Sequence, residues 1–297
     1  MLRRLRLTSR LRSTVPTLVL AVLCTGSGCT DPGDPVATVT LGVNRPTVPL
    51  GGPIELSFRF VTSPRLEGIN EDYRVLVHFL DENQNLMWAD DHEPPVPTSA
   101  WEPGQTVSYT RHTIVPMYPY IGEAVIAVGL YSAASGERLR LAGEDLGQRA
   151  YYATVLSLEP QEGSSFLLYE DGWHNNEFDP SANIQWRWTS ERASLSFRNP
   201  RADAVLYLQL AGRPDLFPAG QRVTVSIGGE VVHELLLETR GSRFEELELR
   251  VAQFGDAETA RIDLDVTPTF VPSEVNSGAV DDRRLGVRVF YAFLEPL

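Results

Sequence analysis

The stretch Arg222-Val-Thr-Val-Ser-Ile-Gly-Gly-Glu-Val-Val-His-Glu-Leu-Leu-Leu237 decides the fold class. Val223, Val225 and Ile227 take every second position with Thr224 and Ser226 between them, which is the period of a half-buried strand and not of a helix. Gly228-Gly229 supplies the consecutive positive φ values of a two-residue turn, and the apolar run resumes from Val231 to Leu237. The segment therefore reads as a β-hairpin. The same alternation recurs in Glu246-Leu-Glu-Leu-Arg-Val251, Arg261-Ile-Asp-Leu-Asp-Val266 and Leu285-Gly-Val-Arg-Val-Phe290, each with one face for a core and one for water. No window of a dozen residues sustains a helical period, and 21 prolines with 23 glycines suit many short strands joined by turns. The expected fold class is all-β, with two antiparallel β-sandwich domains.

Residues 36–158 form the first block. Strands are expected at Ala37–Val43, Ile54–Phe60, Tyr73–Leu80, Val107–Ile114, Ala124–Tyr131 and Tyr151–Leu158, with turns at Pro49–Pro53 and Ser135-Gly136. That number of strands over this length is the size of an immunoglobulin-like sandwich. The polar Glu159-Pro-Gln-Glu-Gly163 marks the boundary, and residues 159–297 carry roughly nine or ten strands, as in a jelly-roll-like sandwich. No repeat of solenoid period is visible.

The N-terminus has a different character. Residues 1–28 contain Arg3, Arg4, Arg6, Arg10 and Arg12, no acid, and a short apolar stretch from Val15 to Cys24, the layout of an export signal. The stretch is about half of the ~20 residues that a membrane-spanning helix needs. Thr25-Gly-Ser-Gly-Cys-Thr-Asp31 resembles the cleavage box of bacterial lipoproteins, with Gly26 where that family has an aliphatic residue. The resemblance implies a signal peptide over 1–28, a diacylated Cys29 at the mature N-terminus and a lipidated tether over 29–35, anchoring the protein in the bacterial cell envelope, the outer membrane favoured. Cys24 and Cys29 are the two cysteines of the chain, so residues 36–297 have no disulfide and depend on their hydrophobic cores.

Formal charge and residue types exclude several functions. The net charge is −13; removing the five signal arginines leaves 21 Arg against 39 acids, or −18, which repels nucleic acid. The chain has no lysine, so Schiff-base and P-loop chemistry are excluded. His233-Glu234 opens like a zinc-protease helix, but Leu237 stands where the second His would be. Asp81-Glu-Asn-Gln-Asn85 has the spacing of a calcium loop, yet Leu86 replaces the required Gly, and the segment reads as the cap of a hairpin. Asp90-Asp-His-Glu93 with His78 and His112 shows no ligand-pair spacing and reads as a solvated acidic loop. No catalytic residue, metal site or cofactor is expected, and the chain reads as non-enzymatic.

Aromatic residues concentrate in the second block: Tyr169, Trp173, His174, Trp186 and Trp188. Rings beside carboxamides and carboxylates suit sugar binding, and Asp171, Asn175, Asn176 and Glu177 stand close by. Trp186 and Trp188 alternate with Gln185 and Arg187, which assigns both tryptophans to a core face. Trp173, in a loop after Gly172, is the ring expected to be exposed. The candidate ligand-binding residues are accordingly Asp171, Trp173, His174, Asn175 and Asn176.

Tyr169-Glu-Asp-Gly-Trp-His174, Ile184-Gln-Trp-Arg-Trp188, Ala193-Ser-Leu-Ser-Phe197 and Leu285–Phe290 together resemble a β-sandwich module appended to bacterial membrane glycosyltransferases and envelope proteins. That resemblance implies a link to surface polysaccharide and brings no catalytic residues. Val77-His-Phe-Leu-Asp81, Trp101-Glu-Pro-Gly-Gln105 and Val128-Gly-Leu-Tyr131 resemble an immunoglobulin-like domain of bacterial envelope proteins. The expectation is a lipid-anchored binding module, with a cell-surface glycan as leading ligand, another envelope protein as the second partner class and a glycan-active hydrolase as the third reading. The membrane partner is the bilayer that holds the lipid.

Overall fold

In the computed structural model, which describes residues 33–180 and 184–297, period-two alternation becomes nineteen strands. The expected signal peptide over 1–28 and Cys29 lie outside the described residues, as does the tether up to residue 32. The first nine strands are β1 (Ala37–Val43), β2 (Thr47–Pro49), β3 (Pro53–Thr62), β4 (Arg74–Leu80), β5 (Leu86–Ala89), β6 (Thr106–Ile114), β7 (Gly122–Tyr131), β8 (Leu141–Ala142) and β9 (Tyr151–Glu159). They form a four-stranded sheet in the order β6-β3-β1-β8 and a five-stranded sheet in the order β2-β9-β7-β4-β5. Leu56, Phe58 and Phe60 of β3 meet Val75, Val77 and Phe79 of β4 and Ile126, Val128 and Leu130 of β7 in one core, with Trp101 closing the end. Pairing is antiparallel except for two short parallel ladders, β1 with β8 and β2 with β9.

The second sandwich contains β10 (Leu168–Tyr169), β11 (Glu177–Asp179), β12 (Ile184–Trp188), β13 (Arg192–Arg198), β14 (Ala204–Ala211), β15 (Gln221–Ile227), β16 (Glu230–Leu237), β17 (Arg243–Leu249), β18 (Thr259–Thr267) and β19 (Arg288–Pro296). Their orders are β10-β13-β18-β15-β16 and β11-β12-β19-β14-β17, all antiparallel. The hairpin read from residues 222–237 is present, with Gly228 at φ 59° and Gly229 at φ 87°. Leu195, Phe197, Val223, Val225, Ile262 and Leu264 of one sheet face Leu206, Leu208, Leu247, Val289 and Leu294 of the other. Among the described residues the α-helical content is the single turn Pro272–Val275.

β14 departs from simple alternation. Its residues Ala204-Val-Leu-Tyr-Leu-Gln-Leu-Ala211 are buried on both sides, Gln209 excepted, because the outer face of the second sheet is covered too. There Val205, Tyr207 and Phe293 form a separate cluster with Phe244 and Tyr291. The first sandwich caps that cluster. Tyr291 Oη donates to Gly51 O, Arg45 pairs with Glu295, and the His112 ring stacks on Phe244 at 4.8 Å and 20°. Gly51 adopts φ 77° under Met117 of the first sandwich and Phe293 of the second, so a side chain in the turn after β2 would meet both. From Pro35 to Leu297 the chain is accordingly one compact unit.

Candidate functional site

The residues picked from sequence do not converge on one site. Gly172 adopts φ 79°, and a Cβ there would stand 1.8 Å from Arg192 O, so backbone packing dictates the Gly-Trp step. Trp173 follows with its ring half-buried against the inter-sheet core and edge-on to Tyr169 at 4.7 Å. Its indole N–H donates to Ser194 O at 2.7 Å. Trp173 is thus a packed ring and not the freestanding platform expected, because Gly172 lets the loop lie directly on β13. His174 Nε2 lies 3.1 Å from Arg284 O and 3.2 Å from Ser190 Oγ, a bridge between loops. Asp171 and Asn175 are exposed, and Asp171 accepts from Ser194 N through its carbonyl. Asn176 alone reaches toward a hollow, its Nδ2 3.3 Å from Gln185 Oε1.

Strand register explains a second correction. Arg187 pairs with Val289, a residue of the inter-sheet core, while Trp188 pairs with Arg288. Directly opposed residues share a face, so Trp186, Trp188 and Arg288 stand on the outer face of the second sheet instead of between the sheets. Trp188 is buried there at 7% exposure with Phe270 and Leu285, Phe270 lying edge-on to it at 5.6 Å. Trp186 is half-buried, its ring 6.4 Å from Phe290. The same register overturns the water-facing side assigned to Leu285–Phe290: the Arg288 guanidinium lies over Trp186, Trp188 and Phe290 at 5.8, 5.7 and 5.4 Å.

Beside these rings the sheet carries a depression of about 500 Å³. Trp186, Phe290 and Arg288 line it with Gln185, Gln209, Ser242 and Asp179. Gln209 Nε2 donates to Ser242 Oγ at 2.8 Å, which orients the pair across β14 and the loop before β17. Trp186 Nε1 and Arg288 Nε are buried without a hydrogen-bond partner among the described residues. Burial pushes the Arg288 pKa down, and nearby Arg213 adds to this against Asp215 and Glu177. A smaller hollow of about 230 Å³ next to Trp188 is lined by paired charge: Arg283 holds Asp281 at 2.6 Å and Glu177 at 2.8 Å.

Residues weighed as metal ligands in the first sandwich have other partners. Asp90 takes both Arg111 nitrogens at 2.7 and 2.8 Å, His92 meets the Tyr109 hydroxyl at 2.8 Å, and His112 pairs with Glu55 at 3.3 Å. Asp81 caps its own turn, accepting from Asn83 N and Asn85 N at 2.8 Å each, as the hairpin reading requires.

Phe290, Arg288, Gln209 and Ser242 were not visible as a group in the sequence. The apolar run of β14 from Ala204 to Leu208 carried a signal that both faces of its sheet are covered, but the residues that meet across β12, β19 and β14 depend on register.

No family model and no curated protein matches this chain. Solved structures align with it at low similarity. The C-terminal CBM6 of LamC from Zobellia galactanivorans aligns at 12% identity and a TM-score of 0.27, over 44% of this chain and 98% of that one. The CBM22-1–CBM22-2 tandem of Paenibacillus barcinonensis Xyn10C aligns at 9% identity and 0.30, over 88% and 92%. Pseudomonas fluorescens AlkC aligns at 14% and 0.27, over 43% of this chain and 31% of that one. At these identities and scores the likenesses assign neither a family nor a ligand.

Proposed function

We infer that this chain is a non-catalytic binding protein whose second sandwich takes a glycan in the depression beside Trp186. The observation that supports this most is the lining. Two aromatic rings lie beside two carboxamides and a hydroxyl in a hollow of about 500 Å³, within the ~300–1,000 Å³ of small-molecule sites. Ring faces offer apolar contact to the C–H side of a pyranose, and Gln185, Gln209 and Ser242 offer hydrogen bonds to its hydroxyls. Hydrolysis would require a pair of carboxylates flanking the sugar bond, whereas Asp179 is the one carboxylate among the described lining residues. On a glycan array, Trp186→Ala should weaken binding at least tenfold while the protein stays folded. Equal binding by the variant, or no binding by the unaltered protein, would sink this reading.

The export layout and the box ending at Cys29 support presentation of this module from the cell envelope on a lipid anchor. Cys29→Ala should move the protein from the membrane fraction to the soluble fraction; an unmodified N-terminus on Cys29 by mass spectrometry would refute the anchor. A protein-partner reading has one observation in its favour: β10 lies at a sheet edge, with its own Leu168 62% exposed and Phe166 before it 52% exposed. A glycan bound with Trp186 intact and lost without it would decide between the two.

A further inference from the structure

Arg288 is an unusual member of the depression. Arg213 and Arg283, which line the smaller hollow next to Trp188, each hold a carboxylate, Asp215 at 2.7 Å and Asp281 at 2.6 Å. The Arg288 side chain has no ion pair and no hydrogen bond to a described residue, and its Nε is buried. Three ring faces partly compensate the cation through their quadrupoles, and they also hold the guanidinium flat and fixed. A planar fork held in place and bonded directly to no carboxylate is a geometry that can receive a planar anion.

Several other polar groups of the lining already have partners within the protein. Trp186 Nε1 and Arg288 Nε are buried donors without an acceptor among the described residues. Gln185 Oε1 already accepts from Asn176, and Ser242 Oγ from Gln209. Asp179, on the edge strand β11, already has an interaction within the protein. An acceptor-rich, anionic ligand matches the Arg288 cation of the lining. The chain as a whole carries −13, so general attraction of polyanions is not the cause, and discrimination would come from one residue.

We propose that the depression selects a glycan bearing an anionic group, with Arg288 as the counter-charge of a sugar carboxylate stacked beside Trp186. This rests on the glycan reading of the same depression and adds the class of sugar. Arg288 is a specificity-determining residue here and performs no chemistry.

The test compares oligogalacturonate with the same oligomer fully methyl-esterified, so that the rings are kept and the charge is removed, using isothermal titration calorimetry on the unaltered protein. A neutral β-glucan oligomer and a sulfated galactan serve as further arms. The expected result is binding of the uronate about 10- to 100-fold tighter than its ester, the difference a charge-assisted hydrogen bond supplies. Arg288→Gln should remove the difference by weakening the acid and leaving the ester unchanged, and Arg288→Lys should restore part of it. A preference for the sulfated galactan over the uronate would move the assignment from carboxylate to sulfate and overturn the carboxylate half of the proposal. Equal binding of acid, ester and neutral glucan would overturn the proposal while leaving the glycan reading intact. Binding of none would overturn both. The ester comparison needs no variant, so it stands even if Arg288→Gln fails to fold.

Discussion

His92 shows how one buried side chain sets a pH response. It is 7% exposed, its Nδ1–H donates to Asp90 O at 3.0 Å and its Nε2 accepts from the Tyr109 hydroxyl, so the neutral ring is fully satisfied. Burial is the main cause that lowers its pKa, with the Arg111 guanidinium adding to it against the Asp90 carbonyl and the Asp90 and Asp91 carboxylates. In the unfolded chain the group titrates near ~6.5. Its contribution to stability is therefore complete above about 6.5 and is lost as pH falls from there toward the lower folded value. His78, also lowered chiefly by burial, acts in the same direction. Urea midpoints should fall between about pH 7 and pH 5, and His92→Gln should flatten that slope; an unchanged slope would refute the assignment. The tryptophans divide by environment as well. Trp188→Ala, and Trp173→Ala with its lost bond to Ser194, should each cost about 3–5 kcal/mol, whereas Trp186→Ala should cost less and be read mainly in binding. Chemical denaturation of the three variants separates the packed rings from the one lining the depression.

At the scale of elements, the start of the second sandwich hangs on a glycine. With a Cβ at Gly172 meeting Arg192 O and Ala193 Cα at 1.8 and 2.8 Å, any side chain there must push the loop off β13. Gly172→Ala should cost at least about 2 kcal/mol, seen as a fall of roughly 4–8 °C in Tm for a domain of this size. An unshifted Tm would show that the loop yields freely. β14 and β19 have a different task, since both faces of each are buried at one end. Gln209 breaks the apolar run of β14 beside Phe290, where the β14–β19 register shifts, and it is there that the sheet surface changes from covered to open. A bulge at that point re-aims side chains toward the depression. Removing it by repairing the register would be expected to disturb Arg288 and Phe290 before it disturbs the core.

The whole molecule joins its two sandwiches through the outer face of the β11-β12-β19-β14-β17 sheet, the face that also carries the depression. Arg45 bridges Glu295 and Pro53 O, Glu295 accepts from Tyr207 Oη at 3.1 Å, and Tyr291 reaches Gly51 O. The contact therefore lies along β14 and β19, and Gln209 and Phe290 of the depression belong to the same strands. Arg45→Ala with Tyr291→Phe should loosen the joint, so that a protease cuts residues 159–163 faster than in the unaltered chain. Equal cutting rates would mean that the linker alone holds the orientation.

The all-β class, the hairpin at Gly228-Gly229, most strand positions and the cap made by Asp81 were legible in the chain alone. Each of these rests on contacts between residues near one another in the chain, which leave a period or a turn residue as their mark. The sequence also located the aromatic segment of residues 169–188, though not which of its rings face outward. That was decided by tertiary structure. Trp186 and Trp188 show the same alternation whether their side of β12 meets the opposing sheet or lies outside it, and only the pairing of Arg187 with Val289 settles the choice. Arg288 reads as one more polar position in an alternating strand until register places it among three rings from β12 and β19. Period two states that a strand has two faces; which face is covered, and by what, is fixed by segments far away in the chain.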